Sequence, residues 1–341
     1  MTVCIVGAGA IGGLIGTRLA AAGVSVSAFA RGATLAALRA HGWRLDGAAG
    51  CTQAPLAAAS GRAADLGPHA LVVVAVKAPA LASVAPEIAH LIGPETVVLP
   101  AMNGVPWWFC HGRPGFEGPL ESVDPGGAIG RALPFGRVLG CVVHASASTP
   151  EPGLVRHAMG QGLIVGEPTG GTSDRAERVG ALLRLGAFDV TVSPDVRHAA
   201  WYKLWGNLTM NPVSAITGAT VDRVLADPEL RALCSRAMEE AAAVGTRGGV
   251  PIDQRPEDRH AVTEKLGAFR TSMLQDADAG RPLELDAIVT AVHEIARRVD
   301  VPTPTIDGLL GLARVFARTR GLYPAPDSGM PSAGSYQGPT K

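Results

Sequence analysis

The sequence predicts an α/β fold, with an N-terminal doubly wound sheet followed by an all-helical half. Three observations predict it. The turn Gly7-Ala8-Gly9-Ala10-Ile11-Gly12 joins a short apolar run to an Ala-rich helical stretch. The run His69–Lys77, HALVVVAVK, has the unbroken hydrophobicity of a strand buried on both faces. After Ser193-Pro194 the strand signals fade and helical periodicities take over. At 341 residues the chain exceeds one comfortable core. The expected division is a sheet domain over 1–193, a helical domain over 194–322, and a flexible Pro/Gly/Ser-rich tail over 323–341.

Val3–Val6 reads as the first buried strand, residues 10–22 as a helix ending near Gly23, and Val24–Ala30 as the second strand. A strand, a glycine turn, a helix and a strand form the context in which GxGxxG signals a Rossmann-type dinucleotide site. Gly7 permits the tight turn, Gly9 lets backbone approach a pyrophosphate, and Gly12 allows helix and strand to pack closely. The N–H groups at Ala10 and Ile11 open the helix and favour phosphate. The second strand ends Phe29-Ala30-Arg31-Gly32, without the carboxylate that would bind a ribose 2′-hydroxyl. Arg31 can pair with a 2′-phosphate instead, so NADP(H) is the expected cofactor, against the plain reading of a solvated surface Arg.

Lys77 ends the His69–Lys77 strand, where open α/β sheets bind ligands. A helix over 79–91 and a strand over 96–99 lead to Pro100-Ala101-Met102-Asn103-Gly104. There Asn103 faces nicotinamide or substrate, or is simply a turn Asn before Gly. Residues 106–137 form a loose Gly/Pro-rich segment whose Trp107, Trp108 and Phe109 either line a pocket or anchor the loop. Strands are expected at 138–148, 154–157, 163–165 and 188–192, with a helix at 173–185. Helices follow over 196–211, 213–217, 221–224, 227–248, 256–279, 284–300 and 305–318.

The stretch Trp201–Pro212, WYKLWGNLTMNP, places Lys203, Asn207 and Asn211 at i, i+4 and i+8 on one helix face. Trp201, Leu204, Trp205 and Leu208 take the adjoining arc, and Pro212 is expected to stop the helix. One amine and two amides in a row suit polarising and protonating a small oxygenated substrate. Ser272 can bind a carboxylate or hydroxyl. Glu284, just after Pro282, reads from spacing more as a first-turn carboxylate than as a site residue.

Composition narrows the function class. The chain is 47% hydrophobic and 18% charged, and its 30 basic and 30 acidic residues cancel. Bulk attraction to nucleic acid or anionic membrane is therefore not indicated. The five cysteines are widely spaced, without CxxC, which reads as a reduced cytosolic chain lacking structural metal, each Cys a small core residue. No secretory pattern and no run of about 20 apolar residues occurs, so a cytoplasmic location is expected.

With these residues in view the chain resembles the ketopantoate reductase family. The matching pieces are GAGAIG at 7–12, ARG at 30–32, VKA at 76–78, NGV at 103–105, KLWGNLTMNPVSAITGATV at 203–221 and SMLQDADAGRPLELD at 272–286. The resemblance implies an NADPH-dependent reductase that converts 2-dehydropantoate to (R)-pantoate for the pantothenate and coenzyme A pathway. It implies Lys203 as the lysine that bonds the keto oxygen and delivers the proton. Asn207 and Asn211 become its positioning and substrate-binding asparagines, Ser272 the carboxylate contact and Glu284 the acid on the substrate hydroxyl. It places Asn103 by the nicotinamide and substrate, and Arg31 and Lys77 on the adenosine side. Two departures bear on the substrate: a longer 106–137 connection and a longer tail. Other readings are a reductase of a different small 2-oxo or hydroxy acid, or a non-catalytic NADP(H) sensor. A sensor has no need of the proton donor. Helical domains of this type often pair, which allows a homodimer.

Overall fold

The computed structural model describes residues 1–48 and 50–325. Strand β1, Val3–Val6, is wholly buried and passes through the glycine turn into α1, Ala10–Ala21. There follow β2 (Val26–Phe29), α2 (Gly32–His41), β3 (Trp43–Gly47), β4 (Gly50–Ala54), β5 (Ala59–Ser60), β6 (Leu71–Val74), α3 (Ala78–Ile88) and β7 (Val97–Pro100). Five of these strands make a parallel sheet ordered β5-β2-β1-β6-β7. The chain builds outward from β1 on one side and then returns to build from β6 on the other. The switch point between β1 and β6 is where such sheets bind ligands, beyond the carboxyl ends of the strands.

The rest of the first half comprises α4 (Ala128–Ala132), β8 (Gly140–Glu151), β9 (Leu154–Gly166), α5 (Asp174–Leu185) and β10 (Asp189–Val192). A second sheet runs β10-β9-β3-β4, with β8 paired antiparallel to β9. Helix α1 is sandwiched between the two sheets, and its small residues allow the fit. A side chain at Gly13 would strike Val155, and one at Gly16 would come within 2.7 Å of the Trp43 ring.

The second half is helical: α6 (Val196–Thr217), α7 (Val221–Ala226), α8 (Pro228–Arg247), α9 (Pro256–Glu264), α10 (Ser272–Asp278), α11 (Ala291–Arg298) and α12 (Pro304–Thr319). Helix α6 is its axis, packing on α8, α10 and α12 while its first turns lie against β8. Trp201, Leu204, Trp205 and Leu208 are buried there, as their spacing requires.

Several local expectations are corrected. Residues 32–68, for which the sequence suggested no element, hold α2 and β3 to β5; β4 is almost wholly exposed and so carries no alternating pattern. The strands expected at 154–157 and 163–165 are one strand, β9, because register shifts in the pairing absorb the intervening glycines, with Gly160 at φ +72°. Pro212 does not stop α6, which runs on to Thr217: packing of the buried Pro212, Val213, Ser214 and Ala215 outweighs one lost backbone bond. The helix expected over 256–279 breaks between α9 and α10, where Gly267 adopts φ +62° and Thr271 caps α10. The helix expected over 284–300 opens with a π-type turn, Asp286–Thr290, before α11. Cys51 is exposed rather than a core residue.

The 106–137 segment is pinned rather than loose. Glu294 of α11 accepts from the Glu121 and Ser122 N–H groups, each at 2.9 Å, and from Ser122 Oγ at 2.7 Å. Buried Asp124 caps α4 through the N–H groups of Ile129 and Gly130. Of the proposed tail, Tyr323 is tied by its hydroxyl to Asp286 at 2.5 Å, and residues 326–341 lie outside the described residues.

Candidate active site

The glycine turn lies at the switch point. Gly7 has φ +87°, and a Cβ there would come within 2.7 Å of Val76. Gly12 abuts the Gly7 carbonyl so closely that any side chain would collide. Gly9, the N-cap of α1, has open space where a Cβ would point. No side chain caps α1 and no acidic residue lies in its first turn, so the N–H groups at Ala10, Ile11 and Gly12 are offered outward. Arg31, at the end of β2, is exposed; its guanidinium lies 5.3 Å from the Phe29 ring centre and pairs with no carboxylate among the described residues. These residues fit a dinucleotide carrying a 2′-phosphate.

Lys203 sits one turn before Asn207 on the face of α6 turned towards the sheet domain. Its Nζ donates to Asn103 Oδ1 at 2.7 Å and to the Val143 carbonyl at 2.6 Å. The Asn103 loop is fixed from behind, since Gly104 lies against Ala287 and Val105 N donates to the Ala287 carbonyl at 2.7 Å. Burial pushes the Lys203 ammonium down from 10.5 to about 8; Cys141 and Glu284 oppose this, and Arg259 adds to it. Asn207 lines the same crevice with Cys141 and makes no side-chain hydrogen bond among the described residues. The amine is thus held by Asn103 and a strand carbonyl rather than by Asn207. Asn211 is 4% exposed, and its Nδ2 is buried without a partner among the described residues. A buried orphan donor costs about 1–3 kcal/mol, a cost that an incoming acceptor removes.

Glu284 is buried and reaches across to the sheet domain, its Oε1 accepting from Ala78 N, the first residue of α3, at 3.0 Å. It is therefore a first-turn carboxylate, but for a helix of the other half. Burial raises its pKa, against the lowering effects of the Ala78 N–H, Lys77 and Lys203. Lys77, the N-cap residue of α3, is ion-paired with buried Asp276, which also accepts from Arg281 Nε at 2.9 Å. Ser272 is exposed at the first position of α10, beside its cap Thr271, whose hydroxyl meets Ser214 at 2.5 Å. Between α3, the Asn103 loop, residues 122–129 and Glu284 lies a mainly apolar cavity of about 140 Å³, lined by Leu81, Met102, Trp107 and Ile129 among others. Trp107 therefore both anchors and lines, whereas Phe109 stacks on Trp201 at 5.6 Å and is buried with Trp108. A larger open depression around Arg39, His41 and Gln53 is remote from this chemistry.

The chain matches the family model for ketopantoate reductase PanE/ApbA over residues 3–170 and that for its C-terminal part over residues 195–317. It is 44% identical to a 2-dehydropantoate 2-reductase of Mesorhizobium japonicum, across 95% of this chain and all of that protein. The chain belongs to the ketopantoate reductase family. A crystal structure from Ralstonia solanacearum MolK2, described as a candidate ketopantoate reductase, superposes with TM-score 0.91 at 52% identity over 94% of this chain and 99% of that one. The 2-dehydropantoate 2-reductase of Geobacter metallireducens GS-15 gives 0.81 at 26% identity, over 92% and 99%.

The site of this family member contains groups that sequence reasoning missed. The Val143 carbonyl has no sequence signal, because any residue on β8 would supply it. Asp276 stood within the SMLQD motif but had no assigned role. Arg259 lay in the first turn of the helix expected over 256–279, with no role assigned to it. Burial of the ring pushes His144 down to about 4, with the charges of Lys203 and then Arg259 adding to the shift.

Proposed function

We propose that the chain reduces 2-dehydropantoate to (R)-pantoate with NADPH, Lys203 giving a proton to the keto oxygen. The observation that carries this is the hydrogen-bond count at Lys203. An ammonium has three donors. Asn103 and the Val143 carbonyl accept two, leaving one for a ligand. Hydride addition builds negative charge on the ketone oxygen, and a positioned cation that is also an acid stabilises and then neutralises it.

NADPH supplies the hydride when bound, and the residues that would hold it are Gly7, Gly9, Ala10, Ile11, Gly12 and Arg31, with Lys77 and Asn103. Asn211 offers its orphan donor to the substrate, Asn207 and Ser272 contribute from α6 and α10, and the free oxygen of Glu284 accepts the substrate hydroxyl. The raised pKa of Glu284 suits a group that shares a proton with that hydroxyl.

A second reading is favoured by the cavity behind Asn103 and Glu284. The 106–137 segment gives it an apolar wall, which suits a 2-oxo acid with an apolar side chain other than that of ketopantoate. NADPH oxidation with ketopantoate, with a panel of other 2-oxo acids, and with NADH as control separates the readings. Turnover of another oxo acid with none of ketopantoate would sink the first. The same proposal includes the division at residue 193, a cytoplasmic location and a homodimer sedimenting at twice 34.9 kDa. No helix among the described residues is long and apolar enough to cross a membrane.

A further inference from the structure

Arg259 of α9 is a cation without a counter-ion among the described residues, set beside another cation. Its guanidinium lies against α6 at Gly206, between Lys203 and Asn207: a Cβ on Gly206 would stand 2.7 Å from Arg259 Nε and 2.9 Å from Nη2. It rests 5.2 Å from the Tyr202 ring centre, with the Tyr202 hydroxyl held by Gln254 at 2.8 Å. Among the described residues it makes no side-chain hydrogen bond and no ion pair, and its Nε is buried without a partner. The absence of a side chain at position 206 is what lets the planar group lie flat on the helix one turn from the Lys203 amine.

This arrangement is costly unless an anion completes it. A buried donor left unpaired and two neighbouring positive charges are both unfavourable. The planar fork of an arginine matches a carboxylate with two parallel hydrogen bonds. In a 2-oxo acid the carboxylate carbon is bonded directly to the keto carbon, so a keto oxygen on Lys203 puts the carboxylate beside the amine on which the Arg259 charge already acts. We infer that Arg259 binds the carboxylate of the substrate, a role the family resemblance gave to Ser272. The inference rests on the reading that Lys203 holds the keto oxygen. Ser272 is an exposed neutral hydroxyl, whereas Arg259 brings a charge that no carboxylate among the described residues compensates.

The test separates the two claims by using a ligand that is not turned over. Oxamate, a planar 2-oxo-acid mimic, is titrated calorimetrically into the enzyme with NADPH present, using wild type, Arg259→Gln, Arg259→Lys and Ser272→Ala, each checked for an unchanged melting profile. Arg259→Gln is expected to weaken oxamate about 100-fold, Arg259→Lys less, and Ser272→Ala only a few-fold. In turnover, KM for the oxo acid rises by a similar factor in Arg259→Gln, with a far smaller fall in kcat. Oxamate binding that is equal in wild type and Arg259→Gln, or lost only in Ser272→Ala, overturns the inference. A lower kcat with unchanged KM also overturns it, since Arg259 would then act through Lys203. If wild type binds oxamate through Arg259 but ignores ketopantoate, the carboxylate assignment stands and the substrate reading fails.

Discussion

The pH dependence of reduction should report Lys203 directly. The perturbation begins with solvent pH and is then refined by substitution of its neighbours. Burial sets the ammonium at about 8, so the donor form dominates at neutrality and is lost above it. At pH 7 about nine in ten Lys203 side chains carry the proton, and above pH 8 kcat for reduction should fall about tenfold per unit. The sign reverses for oxidation of the hydroxy acid, which needs the neutral amine and should rise through the same value. Glu284 favours the charged amine and Arg259 disfavours it. Glu284→Gln should therefore move the break to lower pH, and Arg259→Gln to higher pH. Lys203→Ala should lower kcat by about 100- to 10,000-fold and abolish the break, leaving NADPH affinity nearly unchanged. The assay is NADPH oxidation at saturating oxo acid from about pH 6 to 10, with the cofactor affinity measured separately. A break near the ordinary lysine value, or a break that persists in Lys203→Ala, would refute the assignment.

The remaining predictions concern the cofactor and the join between the halves. Arg31→Ala should weaken NADPH by well over tenfold and NADH hardly at all, as read by fluorescence titration; equal losses would remove the 2′-phosphate argument. Gly12→Ala forces a methyl onto the Gly7 carbonyl and should cost about 1–3 kcal/mol in urea unfolding while greatly weakening NADPH; unchanged binding would mean the turn is not the phosphate site. Asp276→Ala strands Lys77 and Arg281, whose side chains are 45% and 53% exposed, so water rescreens them. The loss should be about 1–2 kcal/mol rather than the larger cost of a fully buried pair, and a loss above roughly 4 kcal/mol would show that the clasp is drier than its exposure implies.

The sequence made the site legible where chemistry and helix period coincide. Lys203, Asn207 and Asn211 could be placed on one face because α6 is a long helix whose opposite arc is apolar, and Gly7, Gly9 and Gly12 could be read because each glycine answers a different steric demand. The second sheet was hidden: β4 is exposed and β9 contains glycines, so neither alternates cleanly. Pro212 misled because a local rule about one hydrogen bond was set against burial contributed by α8, α10 and α12, which no local window contains. Glu284 was half right, a helix-opening carboxylate whose helix is α3, over 200 residues away in sequence. Arg259 was invisible for a related reason, since its meaning depends on the missing side chain of Gly206 on another helix.

Three of the polar links between the two halves meet around the proposed reacting centre: Lys203 with Asn103 and Val143, Glu284 with Ala78, and Asp276 with Lys77. On the proposed role of Lys203, that convergence lets the amine donate without rearranging. Before the reaction its three N–H groups face Asn103, the Val143 carbonyl and the ligand position. After the third proton passes to the substrate oxygen, the neutral amine keeps two N–H groups for the same two acceptors, and its lone pair faces the new hydroxyl. Both protonation states are satisfied by one geometry, so the amine need not reorganise during proton transfer. Replacing Asn103 with Asp would keep an acceptor but add a negative charge beside the amine. That charge should raise the Lys203 pKa and slow the donation step, whereas Asn103→Ala should free the amine to rotate and lower kcat without moving the pH break. If both variants behave alike, Asn103 acts on the ligand rather than on the lysine.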